Sequence, residues 1–331
     1  MKALLEKLYL HETLTRQEAR QLLFEVADKV YPEVQVASLL TVYRMREVSV
    51  AELRGFRDAL LERAHHVDLS AYHPLDIVGT GGDGKNTFNI STCACFVVAA
   101  SGYPVAKHGN YAATSVSGAS TVLEGCGVRF SADADRLQRS IEGCGMAYLH
   151  APLFHPALAA VGPLRRQLGV KTVFNLLGPL VNPSQPAYQL LGVANLQQMR
   201  LYTQVLRHTG MGFTVANSLE GYDEISLTGG FKMMTNHSEN ICTPAQLGLS
   251  VISPGELSGG TTSEESRQIF LRVLQNEATA AQRDCVLANA AVGIHTVCPQ
   301  QSLALCLEQA REALLSGRAL QTFRRFVELN S

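Results

Sequence analysis

The sequence predicts an α/β fold: a small N-terminal helical domain, then a large domain whose mainly parallel central sheet is flanked by helices. Three observations carry this. The first 70 residues have helical spacing and two capping signatures, and short apolar runs alternate with helical segments from residue 75 onward. A glycine-rich turn joins the first of those runs to an apolar helix.

At the N-terminus, Thr15 with Glu18 and Ser49 with Glu52 each offer a capping box. Val36, Leu39, Leu40 and Tyr43 share one helix face, as do Leu53, Phe56 and Leu60, which is the spacing of amphipathic helices that pack on something. Covering a core is the plain reading of those faces, and a dimer contact is the alternative. Residues 75–78, 103–106, 146–149, 189–193 and 212–216 read as strands. Residues 225–228, Gly229-Gly230 and 231–235 read as an added hairpin, and 264–280, 284–293 and 303–316 as helices.

The stretch 76–92, DIVGTGGDGKNTFNIST, places a buried strand, a glycine hinge and a polar helix start in one run. Gly79, Gly81, Gly82 and Gly84 let the backbone turn sharply with its N–H groups open to an anion. Asn89, Ser91 and Thr92 then sit at the positive end of the helix that begins near Cys93. Gly79, Gly81 and Gly84 also fit the dinucleotide fingerprint, but the insert 85–87 delays the helix. The next strand runs into Lys107-His108-Gly109-Asn110 rather than the acidic residue that a ribose diol needs. A basic strand end suits phosphate.

Composition narrows the function classes. With 331 residues, 46% hydrophobic and 17% charged, the chain can bury a large core and exceeds one compact domain. A net charge of -1, from 28 Lys and Arg against 29 Asp and Glu, lacks the basic excess that drives binding to nucleic acid or anionic membrane. Lys2, Glu6 and Lys7 interrupt any signal-peptide core, so a cytoplasmic location is expected. The eight cysteines show no CxxC pairing, and Cys93 and Cys95 are expected to pack rather than react.

Four polar groups fall at strand or helix ends, where open α/β sheets place ligands: the glycine loop with Asp83, the 107–110 run, His155 with Arg165, and Asp223-Glu224. Adjacent carboxylates near a phosphate loop suggest oxygen ligands for Mg²⁺, and an exposed position past a strand is expected for them. Together these motifs make the chain resemble the anthranilate phosphoribosyltransferases. The matches are GTGGD at 79–83, NIST at 89–92, KHGN at 107–110, HPALAAVGPLRRQLGVKTVFNLLGPLVNP at 155–183 and DE at 223–224.

The resemblance implies transfer of a phosphoribosyl group from phosphoribosyl pyrophosphate (PRPP) to the amino nitrogen of anthranilate, with Mg²⁺, in tryptophan biosynthesis. It assigns Gly79, Thr80, Gly81, Gly82, Asp83, Thr87, Asn89, Ser91, Thr92, Lys107 and Ala119 to PRPP. Gly79, His108, Asn110, His155, Arg165 and Gly178 fall to anthranilate, and Ser91, Asp223 and Glu224 to the metal. Lys107 and His108 are electrostatic helpers, and no obligatory base or covalent intermediate is expected. The helical domain is expected to comprise 1–70 and a returning segment at about 168–185, with 71–167 and 186–331 forming the large domain. The site is expected in the cleft between them, in a homodimer that binds neither nucleic acid nor membrane.

Three departures from the family pattern stand out: Tyr111 for a usual Arg, Ala119 and Thr121 for a usual Ser and Asp, and Asn217-Ser218 for a usual His-Gly. Without a cation at 111, the phosphate grip falls to Lys107, the loop amides and one of Ser115, Ser117 or Ser120. The rival within the fold is a pyrimidine nucleoside phosphorylase, a longer enzyme in which His155, Arg165 and the acidic pair have no obvious role.

Overall fold

The computed structural model describes residues 1–112 and 116–331; Ser115 lies outside them. Two compact units are formed, Met1–His66 with Ala151–Pro183, and Val67–His150 with Ser184–Ser331. No helix among the described residues is long and apolar enough to cross a membrane.

The helical unit contains α1 (Lys2–Tyr9), α2 (Arg16–Ala27), α3 (Glu33–Met45), α4 (Val50–Glu62), α8 (Ala151–Phe154) and α9 (Pro156–Leu168). Both capping boxes form, at Thr15 and Ser49. The Ser49 box has a second use, because its Glu52 is fully buried and also accepts from the Leu14 amide, Tyr43 Oη and Arg46. The returning segment starts at residue 151, earlier than the sequence reading of 168. Its helix α9 buries Val161 and Leu164 and packs on α2 and α3, a pairing that periodicity alone does not reveal. Two short 3₁₀ turns follow, and their Val173 and Phe174 close with Leu22, Leu39, Tyr43 and Phe56 around a small apolar cavity.

The α/β unit runs β1 (Leu75–Gly79), α5 (Ile90–Ala100), β2 (Val105–Gly109), α6 (Ala119–Gly125), α7 (Ala134–Cys144) and β3 (Met146–His150). After the helical segment it continues with β4 (Tyr188–Gly192), α10 (Leu196–Leu206), β5 (Gly212–Ser218), β6 (Phe231–Thr235) and β7 (Glu239–Cys242). Four helices complete it: α11 (Ser263–Leu274), α12 (Ala280–Val297), α13 (Leu303–Leu315) and α14 (Arg318–Asn330). The sheet order is β3-β2-β1-β4-β5-β6-β7, parallel through β5 and antiparallel beyond it. Helices α5 and α12 are apolar on nearly every side and pack together, and Phe96 of α5 meets Phe270, Phe323 and Phe326 edge-on at 6.0, 5.1 and 5.4 Å. Cys93 and Cys95 lie in this core with their thiols pushed up by burial.

Two details differ from the sequence reading. The hairpin is β6 with β7, not 225–228 with 231–235, because side chains take the backbone groups of the earlier stretch. Asn289 accepts from the Ile225 amide at 3.1 Å and donates to its carbonyl at 2.8 Å, while Leu227 has a φ of 59°. Strand β2 extends through Gly109, held by register with β3 up to Gly109 opposite His150. Lys107 and His108 therefore lie within a strand and face opposite sides of the sheet.

Candidate active site

Chain order in the sheet reverses between β1 and β4, and a crevice outside the carboxyl ends of those strands is where doubly wound sheets bind ligands. Gly79 and Gly192 end the two strands in register. Asp223 crosses just above both. A Cβ on Gly79 would stand 2.5 Å from Asp223 Oδ2, and one on Gly192 would collide with the Asp223 carbonyl.

The loop after β1 has Gly81, Gly82 and Gly84 at φ values of 69°, 74° and 76°, which turns its amides inward. Three of its neighbours reach the acidic pair. The Gly81 amide donates to Asp223 Oδ2 at 2.6 Å, the Ser91 amide to Glu224 Oε1 at 3.0 Å, and Thr87 Oγ1 to Glu224 Oε2 at 3.1 Å. Asp83 accepts from the Asp223 amide at 3.5 Å. Lys107 Nζ, itself buried, donates to the Ile77 carbonyl at 2.5 Å and approaches Ser91 Oγ at 3.4 Å. On the opposite face the His108 amide is held by buried Asp76 at 3.2 Å.

The expected exposure of the acidic pair is not what the structure has. Asp223 is buried and Glu224 half-buried, drawn in because Asn289 holds Ile225 and Ser218 Oγ donates to the Glu224 carbonyl at 2.7 Å. Burial, with repulsion from Glu224 and Asp83, holds the Asp223 carboxyl well above the usual range. Burial pushes Glu224 up as well, to about 7, against the opposing pull of the Ser91 amide. The Asp223 and Glu224 carboxyls and the Ser91 hydroxyl make a hard-oxygen set with too little positive charge around it, and that fits Mg²⁺.

Around the same loop, Thr80, Thr92 and Ser117 each bury a hydroxyl oxygen with no partner among the described residues. Hydroxyls left so are costly unless a ligand meets them. Ser117 also gives its carbonyl to Asn89 Nδ2 at 3.4 Å, which ties its segment to the loop. Ser120 is otherwise engaged, buried against Tyr148 Oη at 2.7 Å and His150 Nδ1 at 2.9 Å. Ala119 opens α6, and the Ser120 amide donates to the Asn110 carbonyl. Tyr111 supplies no charge; its hydroxyl donates to Glu124.

In the helical unit, His155 precedes α9 and is buried on backbone partners at Leu60 and Val181, its imidazole pushed down to about 4 by burial. Arg165 lies in the last turn of α9, roughly 15 Å further along the helix axis. Gly178 opens the second 3₁₀ turn, with open space where a side chain would be.

Sequence reasoning missed the residues that hold these groups in place. Asn86, at a φ of 46°, donates to the Gly260 carbonyl at 3.0 Å and accepts from the Val116 amide at 3.3 Å, joining three loops. Asn289 and Asp76 were visible only as polar residues inside apolar runs, a signal that marks a buried hydrogen bond.

Family models agree with this architecture. Residues 71–320 match the glycosyl transferase family a/b domain, and residues 2–64 its helical bundle domain. An anthranilate phosphoribosyltransferase of Phocaeicola vulgatus is 59% identical over 331 residues, covering 100% of both chains. The crystal structure of the Thermus thermophilus anthranilate phosphoribosyltransferase superposes with a TM-score of 0.92 at 35% identity, covering 98% of each chain. The Saccharomyces cerevisiae enzyme in complex with PRPP and Mg superposes at 0.91 and 27% identity, covering 98% of this chain and 96% of that one. The chain belongs to the anthranilate phosphoribosyltransferase family.

Proposed function

We propose that this enzyme transfers the phosphoribosyl group of PRPP to the amino nitrogen of anthranilate, giving N-(5-phosphoribosyl)anthranilate and pyrophosphate in tryptophan biosynthesis. What carries the reading is the lock between the glycine loop and the Asp223–Glu224 pair, in a chain 59% identical end to end to a relative of that name.

PRPP is held by the amides of the glycine loop, by Asn89 and by the hydroxyls of Thr80, Thr92 and Ser117, which have no partner among the described residues. Asp223, Glu224 and Ser91 hold Mg²⁺, which when bound neutralises charge on the pyrophosphate. Lys107 adds fixed positive charge beside Ser91. The nitrogen–carbon bond forms as the carbon–oxygen bond to pyrophosphate breaks, and the amine proton leaves after attack. An aniline nitrogen keeps its lone pair until then, so positioning and electrostatics supply the acceleration without an obligatory base.

On the acceptor side, His108, Asn110, His155, Arg165 and Gly178 serve anthranilate, with Arg165 reading its carboxylate. Buried His155 takes a supporting part. Exposed Leu10, Val34 and Met45 on the helical unit support a homodimer through that unit. Mixing the protein with anthranilate, PRPP and Mg²⁺ should extinguish anthranilate fluorescence and release pyrophosphate. Unchanged fluorescence, with phosphorolysis of a pyrimidine nucleoside instead, would move the chain to the rival activity.

A further inference from the structure

Arg165 differs from Arg46 and Arg57, two other guanidinium groups set into the helical unit. Arg46 is paired with Glu52, and Arg57 lies beside Asp58 and donates to the Leu180 carbonyl at 3.1 Å. Arg165 is half-buried too, yet burial alone lowers its pKa, and no acidic group of the described residues offsets that. Its recorded contacts are one hydrogen bond, from Nη2 to Asn175 Oδ1 at 3.3 Å, and the Phe174 ring, whose centroid lies 5.5 Å from the guanidinium carbon.

Asn175 is itself fixed. Its Oδ1 accepts from the Thr172 amide at 2.9 Å, so the backbone of the turn after α9 sets both the side-chain rotamer and which end of the amide faces the arginine. Gly169 makes that turn possible: at a φ of 63° it closes α9 and its amide donates to the Arg165 carbonyl. The turn thus brings residues 174 and 175 back onto the side chain of residue 165. One guanidinium nitrogen is anchored, an aromatic ring lies against the group, and further N–H donors of the planar fork are left for an anion.

We infer that Asn175 is a positioning residue for anthranilate, aiming the Arg165 fork at the acceptor's carboxylate while Phe174 steadies the group. The inference rests on the proposed role of Arg165. A neutral amide suits the task because it can orient a guanidinium without cancelling its charge. An aspartate would take the carboxylate's place.

That difference supplies the test. Steady-state constants for anthranilate and for PRPP are measured, with melting temperatures, for wild type, Arg165→Ala, Asn175→Ala and Asn175→Asp. The anthranilate KM should rise on the order of tenfold in Asn175→Ala, as for one lost charge-assisted hydrogen bond, with kcat and the PRPP KM little changed. Asn175→Asp keeps an acceptor for the Thr172 amide, so it should melt nearer wild type than Asn175→Ala. Its anthranilate KM should nevertheless rise further, on the order of a hundredfold, because the fork is now occupied. A purely structural residue would reverse that order: Asp would rescue the KM that Ala impairs, and both substrates would suffer together. That result overturns the inference while leaving the role of Arg165 standing. If Arg165→Ala itself left the anthranilate KM unchanged, the carboxylate reading would fall and the inference with it.

Discussion

A Cβ placed on Gly79 would lie 2.5 Å from Asp223 Oδ2, so the end of β1 and the acidic pair occupy one tightly shared space. Residues 144 positions apart in the chain are coupled there by the absence of a side chain. Gly79→Ala should push the Asp223 carboxylate off the Gly81 amide. Overpacking of this kind costs about 1–3 kcal/mol, too little to unfold a chain of this size. The main loss should be functional, as a higher half-saturating Mg²⁺ concentration in a metal titration of activity. An unchanged titration curve would show that Asp223 does not hold the metal.

Replacing the pair outright, Asp223→Asn with Glu224→Gln, should reduce Mg²⁺-dependent turnover on the order of a hundredfold or more. Stability should move the other way or not at all. Burial already holds both carboxyls above their usual range, so their charges oppose the fold in the absence of metal. Thermal melts settle it: Mg²⁺ should raise the melting temperature of wild type and leave the variant where it is.

The strands and the glycine loop were legible because they are local. Apolar runs bounded by turn residues announce parallel strands, and the glycines from 79 to 84 need no distant partner to form a hinge. The acidic pair was legible as a motif but not as geometry. Its burial depends on Asn289, more than 60 residues later, and on the bare Gly192 beneath Asp223. The misplaced hairpin has the same cause, since side chains rather than a partner strand satisfy Ile225. Helix α14 was missing from the reading although Phe323 and Phe326 complete the core around Phe96, and a short amphipathic segment gives no hint of that destination.

The helical unit should be acid-sensitive through Glu52. Burial raises its pKa, but hydrogen bonds from Arg46 and from the Leu14 and Ser49 amides outweigh that, and the carboxyl is held below its usual range. A lowered folded pKa means that Glu52 contributes stability above the unfolded value of about 4.3 and loses it as pH falls through the folded one. Glu52→Gln should cost about 3–5 kcal/mol at pH 7, because Arg46 is left without its carboxylate. The gap between wild type and variant should close below about pH 4. Urea melts of both proteins from pH 3 to 8 would show it, and a constant gap would refute the assignment.

Arg165→Ala separates the acceptor site from the rest of the machinery. The side chain is half-buried and touches Asn175 and Phe174. On the proposed role, its loss should remove a charge-assisted contact to a carboxylate, about 2–3 kcal/mol, and little from the fold. Calorimetry should therefore record weaker anthranilate binding beside nearly unchanged PRPP binding. A pyrimidine nucleoside phosphorylase has no acceptor carboxylate for this arginine to meet. Equal weakening of both ligands would mark Arg165 as a structural residue of α9, and no effect on either would remove it from the site.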